Sequence, residues 1–565
     1  MPALNVAGSG KVVSEDLFGG NILAHRDTLD EAVNYDELVE DLGVHTLRYP
    51  GGSVTETYFD FANPDLDLVA DRDSGEERDF IPISEFMEFA EEEGLNAVLV
   101  LNTRDQLSDE MDENGDRFAA IDEVGLRQFV NDAVSGTWGD VNISGFEIGN
   151  EYWGSGRMSA AEYGRVASEM AKIIDDELKL MEADHPEAAE SDVIVQMGTN
   201  FNYSSLGDEF SDLTPEETLE LLNERYDLDL DRLPNWTEVN NEIIMSYFDT
   251  AEEFEALDAI NAHVYSKGEE VAWQRSFMLD TIENTWMQDD RFSEKEIHVS
   301  EWNQSGVSSN FDDDDYGLKN GHELLNILEE FADHEVDAAQ VWPLLQWTKN
   351  TMSQGFDYEG LTPTGTMFSM MAENLPGKSV LDLKGGGSMA DNASFPDLDV
   401  HGFYGEGEAV FYFASNSSNA ISQEVDVSGL FQDVGGLEAQ VLGVAEGENP
   451  GDQSSIAVLR TLDPGEVFGD GFISAELDLY EIMQVKITDF TPTEAMQAAM
   501  DAIDSGEQDG SDVPDLPVTD PDPEDDDEDE PDEEEQDEEG FLAGLDGIAW
   551  VAALLPLLGL AMLGG

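Results

Sequence analysis

The chain has 565 residues, 40% of them hydrophobic with 28 Phe, 14 Tyr and 9 Trp, so it is too long for one small domain and can bury a large core. Acidic residues number 128 against 24 basic ones, a formal net charge of -104, which excludes nucleic acid as a partner because phosphate binding needs cations. Cysteine is absent, which excludes disulfides and thiolate metal sites, and the opening MPALNVAGSGKVV has no basic stretch followed by an apolar run, so no ordinary signal peptide is visible.

Like charges at this density repel one another and destabilise a compact state in dilute buffer, where screening reaches over about 10 Å at roughly 0.1 M salt. A salt-adapted protein, or one secreted into a saline or calcium-rich medium, is the expectation; a merely acidic secreted protein is the alternative. The run FDDDDYG from residue 311 lacks the spacing and the glycine of a calcium-binding loop and reads as a solvated surface segment.

Along the first 377 residues, short apolar runs alternate with amphipathic segments, the pattern of repeated βα units around a parallel sheet. Eight such runs occur: DLFGGNILAH (16–25), VHTLRY (44–49), NAVLVLN (96–102), SGFEIGNE (144–151), VIVQMGT (193–199), LDAINAHVY (257–265), EIHVSEWN (296–303) and AAQVWPLLQW (338–347). Eight strands alternating with helices predict a closed (β/α)8 barrel over residues 1–377. After the fourth run, Ser159-Ala160-Ala161-Glu162 reads as a capping box, followed by Tyr163, Val166, Met170 and Ile173 on one helical face. The insert at 201–256, with Tyr203, Tyr226 and Trp236, is long enough to shape a binding subsite.

From residue 378 the texture changes to glycine-punctuated alternating runs such as AVFYFASN (409–416), which predict an all-β sandwich over 378–490. Residues 491–540 culminate in PDPEDDDEDEPDEEEQDEEG and read as a disordered acidic linker, since such a segment repels itself and buries no apolar surface. Residues 541–565 form an apolar tail. Its last 18 residues carry no charge, so it is read either as a C-terminal membrane anchor or sorting signal or as a peripheral hydrophobic tail. The expected location is extracellular or anchored to the cell surface, with a cytoplasmic one still open.

Two runs carry the chemistry. FEIGNEYWG ends an apolar strand in Gly149-Asn150-Glu151, and IHVSEWNQ ends another in Glu301 followed by Trp302 and Asn303. The C-terminal ends of barrel strands face the active-site mouth, so a carboxylate at each of two such ends reads as a catalytic pair. Cleaving a glycosidic bond needs a proton for the leaving oxygen and a negative charge at the developing oxocarbenium centre. Two carboxyl groups supply both.

With strand two ending in Arg48-Tyr49-Pro50-Gly51-Gly52, these motifs resemble glycoside hydrolase clan A, and within it the arabinofuranosidase, β-xylosidase and β-glucuronidase/heparanase-like branches. The resemblance covers roughly residues 5–490 and implies a retaining hydrolase. Glu151 of the Asn-Glu pair would be the general acid/base and Glu301 the nucleophile. It places Arg48, Asn150, His263, Tyr265 and Trp342 among the sugar-contacting and carboxylate-orienting groups. Arg48 and Tyr265 would keep Glu301 ionised, and Asn150 would grip the sugar 2-hydroxyl. Trp302 and Trp342 are candidate aromatic platforms; ordinary barrel packing is the other reading of both, as a strand-capping core histidine is of His263.

The expected activity is hydrolysis of a plant or algal polysaccharide or oligosaccharide with no cofactor. A non-catalytic carbohydrate-binding or surface-adhesion protein on the same barrel is the alternative.

Overall fold

The computed structural model describes residues 3–29, 32–345, 348–384, 393–395 and 397–505. Eight parallel strands close into a barrel in chain order: β1 (Gly19–Asn21), β2 (Thr46–Tyr49), β3 (Asn96–Leu101), β4 (Ile143–Ile148), β5 (Asp192–Gln196), β6 (Ala259–Ser266), β7 (Glu296–Gln304) and β8 (Ala338–Val341). β8 pairs back onto β1 through Gln340 with Gly19 and Val341 with Gly20. The expected barrel and its trailing β domain are both present.

Helices follow the strands and pack their apolar stripes on the barrel. The helix Ala160–Met181 begins with the predicted capping box: the Ser159 side chain takes the Glu162 amide, and the Glu162 carboxylate takes the Ser159 amide. Tyr163, Val166 and Met170 are buried, while Ile173 packs at the core's edge and the neighbouring Ile174 is fully enclosed. A helix advances 100° per residue, so its buried face drifts across such near positions.

Inside the barrel, Val98, Ile194 and Ala259 form a small apolar cluster of their own. Asn21, Arg48, Glu147, Asn261 and Ser300 are buried polar residues bonded to one another within the barrel. Barrel interiors are usually filled by branched aliphatic side chains. A polar lumen therefore has to be satisfied internally, and its bonds run toward the C-terminal ends of the strands.

The second domain corrects two boundaries. Its large antiparallel sheet starts with the N-terminal strand Asn5–Val12, which pairs with Ser379–Lys384 from Asn5 opposite Lys384 to Val12 opposite Ser379. The chain thus begins in the sandwich and crosses to the barrel, so residues 1–377 are not all barrel. At the other end the final strand, Ile482–Pro492, is followed by a helix over Glu494–Ser505, inside the stretch read as linker. Met496 is fully buried, and Met500 and Ile503 pack against the sandwich core. One apolar helical face is enough to anchor a segment that also carries Glu494, Asp501 and Asp504. The rest of the predicted linker, from 506, and the apolar tail 541–565 lie outside the described residues. Among the described residues, no helix is long and apolar enough to cross a membrane.

The large sheet is covered on both sides. One face meets a three-stranded sheet of Ile421–Asp426, Phe468–Gly469 and Phe472–Leu477 across a core of Phe411, Phe413, Ile473 and Val485. The other lies on the barrel helices, where Tyr412 donates to the Met370 carbonyl at 3.2 Å and Lys486 to Asn374 at 2.8 Å. Burial on both faces explains why AVFYFAS reads as a continuous apolar run instead of an alternating one.

Candidate active site

The site sits where the C-terminal ends of β2, β4, β6 and β7 converge. The loop after β2 is built by glycine: Gly51 has φ +86°, and a Cβ there would lie 2.0 Å from the Ile22 carbonyl oxygen. At Gly52, φ +51°, a Cβ would lie 2.6 Å from the Trp342 ring. No other residue lets the backbone pass so close at a positive φ. The Arg-Tyr-Pro-Gly-Gly motif thereby tucks under Trp342 and holds Arg48 at the strand's end.

Arg48 is fully buried and uses its whole guanidinium fork. Nε and Nη2 donate to the two oxygens of Glu147 at 2.6 and 2.8 Å, Nη1 to Asn21 at 3.0 Å and to Glu301 at 2.9 Å, and Nη2 also to Asn150 at 2.7 Å. Burial works against its charge, but Glu147 first and then Glu301 more than offset this and raise its pKa above the ordinary arginine value.

Glu301 is gripped at both oxygens, Oε1 by Arg48 and Oε2 by the Tyr265 hydroxyl at 3.0 Å. Its position depends on a bulge. β7 pairs Val299 with Ala262 and Glu301 with His263, so Ser300 has no partner residue on β6. An unpaired residue re-aims the strand. Ser300 and Glu301, adjacent in sequence, both face the lumen: Ser300 Oγ accepts from Asn261 at 2.7 Å and reaches Glu147 at 3.2 Å.

Glu151 stands three residues beyond β4 with φ +42°, a left-handed conformation that costs an ordinary residue about 1–2 kcal/mol. Such strain gathers at functional positions. The buried Glu56 carboxylate supports the turn, accepting the amides of Asn150 (3.2 Å), Thr103 (3.0 Å) and Arg104 (2.9 Å) and the Thr103 hydroxyl (2.8 Å). Burial raises the Glu56 pKa by more than these donors lower it.

His263 bridges the two glutamates. Its Nδ1 lies 3.2 Å from Glu151 Oε1 and 3.6 Å from Glu301 Oε2, and its Nε2 lies 3.3 Å from both Ser300 Oγ and Gln196 Nε2. Burial lowers its pKa, yet Glu301 and then Glu151 outweigh that, leaving it above the usual histidine value. One ligand atom from each of Glu151, His263 and Glu301 falls within 4.8 Å of the others. Such a donor set could hold a cation.

Six of the predicted residues therefore meet: Arg48, Asn150, Glu151, His263, Tyr265 and Glu301. Trp342, half-buried just past β8, covers Gly52 at the same end. Trp302 does not join them. It is 0% exposed and its ring packs edge-on to Phe331, 5.2 Å away, and beside Phe368, so it belongs to the helical layer. Strand alternation sends the residue after Glu301 outward.

Glu147, Asn261, Ser300, Gln196 and Glu56 were missed by sequence reading, as was Trp153, whose ring lies edge-on to His263 at 6.3 Å. Only Glu147 carried a signal: a charge inside the otherwise apolar FEI of β4 must face a polar lumen.

No protein-family model and no curated protein sequence matches the chain. Solved structures do. The GH51 arabinofuranosidase from Xanthomonas axonopodis pv. citri is similar at TM-score 0.56 and 15% identity, over 86% of this chain and 99% of that one. The α-L-arabinofuranosidase from Thermotoga maritima gives 0.55 and 16%, over 86% and 99%. AbfB, a family 51 α-L-arabinofuranosidase from Bifidobacterium longum, gives 0.56 and 14%, over 86% and 100%. The chain shares the fold of these proteins.

Proposed function

We propose that the protein is a retaining glycoside hydrolase of clan A acting on O-glycosidic bonds of a plant or algal polysaccharide or oligosaccharide. The observation that carries this reading is the pair Glu151 and Glu301 at one barrel mouth, with carboxylate oxygens within 4.8 Å of each other. Oxygens this close support double displacement, for which carboxyl groups stand about 5–5.5 Å apart, over inversion, which needs a wider gap to admit a water.

In the first step Glu301 attacks the anomeric carbon while Glu151 gives its proton to the departing glycosidic oxygen. A glycosyl ester forms on Glu301 and the leaving sugar departs as an alcohol. Water then attacks the same carbon, its proton passes to Glu151, and the Glu301 carboxylate is released. Arg48 and Tyr265 suit Glu301 to both roles by holding one oxygen each and so fixing the plane of its carboxylate. The amide oxygen of Asn150 is taken by Arg48, which leaves its NH2 as the group to grip a sugar hydroxyl. The charge of -104 supports a saline working medium, and the apolar end of the sequence supports attachment at a cell surface.

The test is a panel of aryl glycosides, including arabinofuranosides. Glu301→Ala should abolish turnover of all of them, because no covalent intermediate can form. Glu151→Ala should still be glycosylated by a dinitrophenyl glycoside, and azide should restore its turnover with retained configuration. Inversion of the first product, or azide rescue of Glu301→Ala instead, overturns the assignment. Binding of glycans without any turnover favours the adhesion protein.

A further inference from the structure

Residues 197–207, MGTNFNYSSLG, follow β5 without one charged side chain, in a chain where 128 of 565 residues are acidic. Two large aromatic rings stand open on this segment: Phe201 is 41% and Tyr203 51% exposed. The other aromatic residues of this insert are spent on packing. Trp236 lies on Phe210 at 5.5 Å, and Tyr226 lies beneath Arg225.

The loop is tied down. Ser204 Oγ lies 2.7 Å from the Thr199 carbonyl and 2.9 Å from that of Phe201, and the Leu206 amide donates to Asn200 Oδ1 at 2.9 Å. Asn202, at φ +43°, turns the chain between the two rings. The Tyr203 amide donates to the Trp153 carbonyl at 3.0 Å, and Trp153 is two residues from Glu151 with its ring against His263. Two exposed rings are thus held on a preorganised, uncharged loop beside the carboxyl group assigned to protonate the leaving oxygen. Rigid rings lose little entropy on binding and cover the C–H face of a sugar, while Asn and Ser side chains meet its hydroxyls.

We propose that residues 199–206 form the leaving-group subsite, with Phe201 and Tyr203 stacking on the sugar unit whose oxygen receives the Glu151 proton. The preferred substrates are then oligomers or polymers, in which the leaving group is itself a sugar. This rests on the assignment of Glu151 as the acid.

Affinity electrophoresis of the full chain, carrying Glu301→Gln to block turnover, through gels containing arabinoxylan tests the subsite. Retardation is expected, weakened at least fivefold by Phe201→Ala or Tyr203→Ala and kept by Phe201→Tyr and Tyr203→Phe. Absence of retardation, or retardation indifferent to both alanine changes, overturns the inference. The kinetic arm, with Glu301 intact, compares arabinoxylan with 4-nitrophenyl α-L-arabinofuranoside. Each alanine variant should lose about tenfold in kcat/KM on the polymer and clearly less on the aryl glycoside; equal losses overturn it. Retardation through Phe201 and Tyr203 without turnover of any glycoside keeps sugar binding at this loop but removes the hydrolase reading, and with it the leaving-group role.

Discussion

Arg48 and Glu147 are joined by two parallel hydrogen bonds of 2.6 and 2.8 Å, with both side chains fully enclosed in the barrel. The pair fixes a buried guanidinium whose remaining N–H groups reach Glu301, Asn21 and Asn150. Removing one partner of such a pair typically costs about 3–5 kcal/mol. Glu147→Gln should therefore destabilise the protein by that order in urea unfolding. It should also lower kcat by roughly a hundredfold, because the Arg48 fork that positions Glu301 and Asn150 loses its anchor. Unchanged stability and rate would show the pair to be dispensable.

The His263 pKa is raised in the folded state, since Glu301 and Glu151 outweigh burial. A raised value means that its contribution to stability is fully present below the unfolded histidine value of about 6.5 and is lost as pH climbs through the folded value. The difference in unfolding free energy between the wild type and His263→Asn should thus be larger at about pH 6 than at about pH 9. An NMR titration of the imidazole should give a midpoint above that of an exposed histidine. A midpoint below it, or a difference that grows with pH, contradicts the bridging role.

Two truncations separate the helix Glu494–Ser505 from the residues that follow it. Ending the chain after Ser505 should leave the melting temperature and turnover unchanged. Ending it after Pro492 removes Met496, Met500 and Ile503 from the sandwich core, and burial of one such side chain is worth about 1.5–3 kcal/mol. The melting temperature should then drop by several degrees. Equal stability of the two truncated chains would mean that the helix Glu494–Ser505 adds nothing.

Salt should stabilise. With 128 acidic and 24 basic residues, screening lowers net self-repulsion more than it weakens the ion pairs. Differential scanning fluorimetry between about 0.1 M and 2 M potassium chloride should show a rising melting temperature, with most of the gain once the screening length falls to a few ångströms. A flat or falling curve removes the reading of salt adaptation.

The barrel was legible in the sequence because its signal is local. Each apolar run and each amphipathic face reports its own period, and Asn150-Glu151 and Glu301 are marked by standing where such runs end. The capping box at Ser159 was legible for the same reason, as its two bonds close within four residues. The strand Asn5–Val12 carries no local mark of its sheet, since its partner lies more than 360 residues away at Ser379–Lys384. Among so many acidic residues nothing local marked Glu56, and the burial of both Glu56 and Glu147 came only with the fold. Trp302 and Glu301 are neighbours in one motif, yet only Glu301 reaches the site. Period-two alternation allows one of two adjacent residues to face inward, and which ones do was decided by the bulge at Ser300, a feature of how β7 pairs with β6. Pairing between strands is not written in either strand alone, so Glu151 and Glu301 could be named from the sequence, but the polar lumen that holds Glu301 came only from closing the barrel.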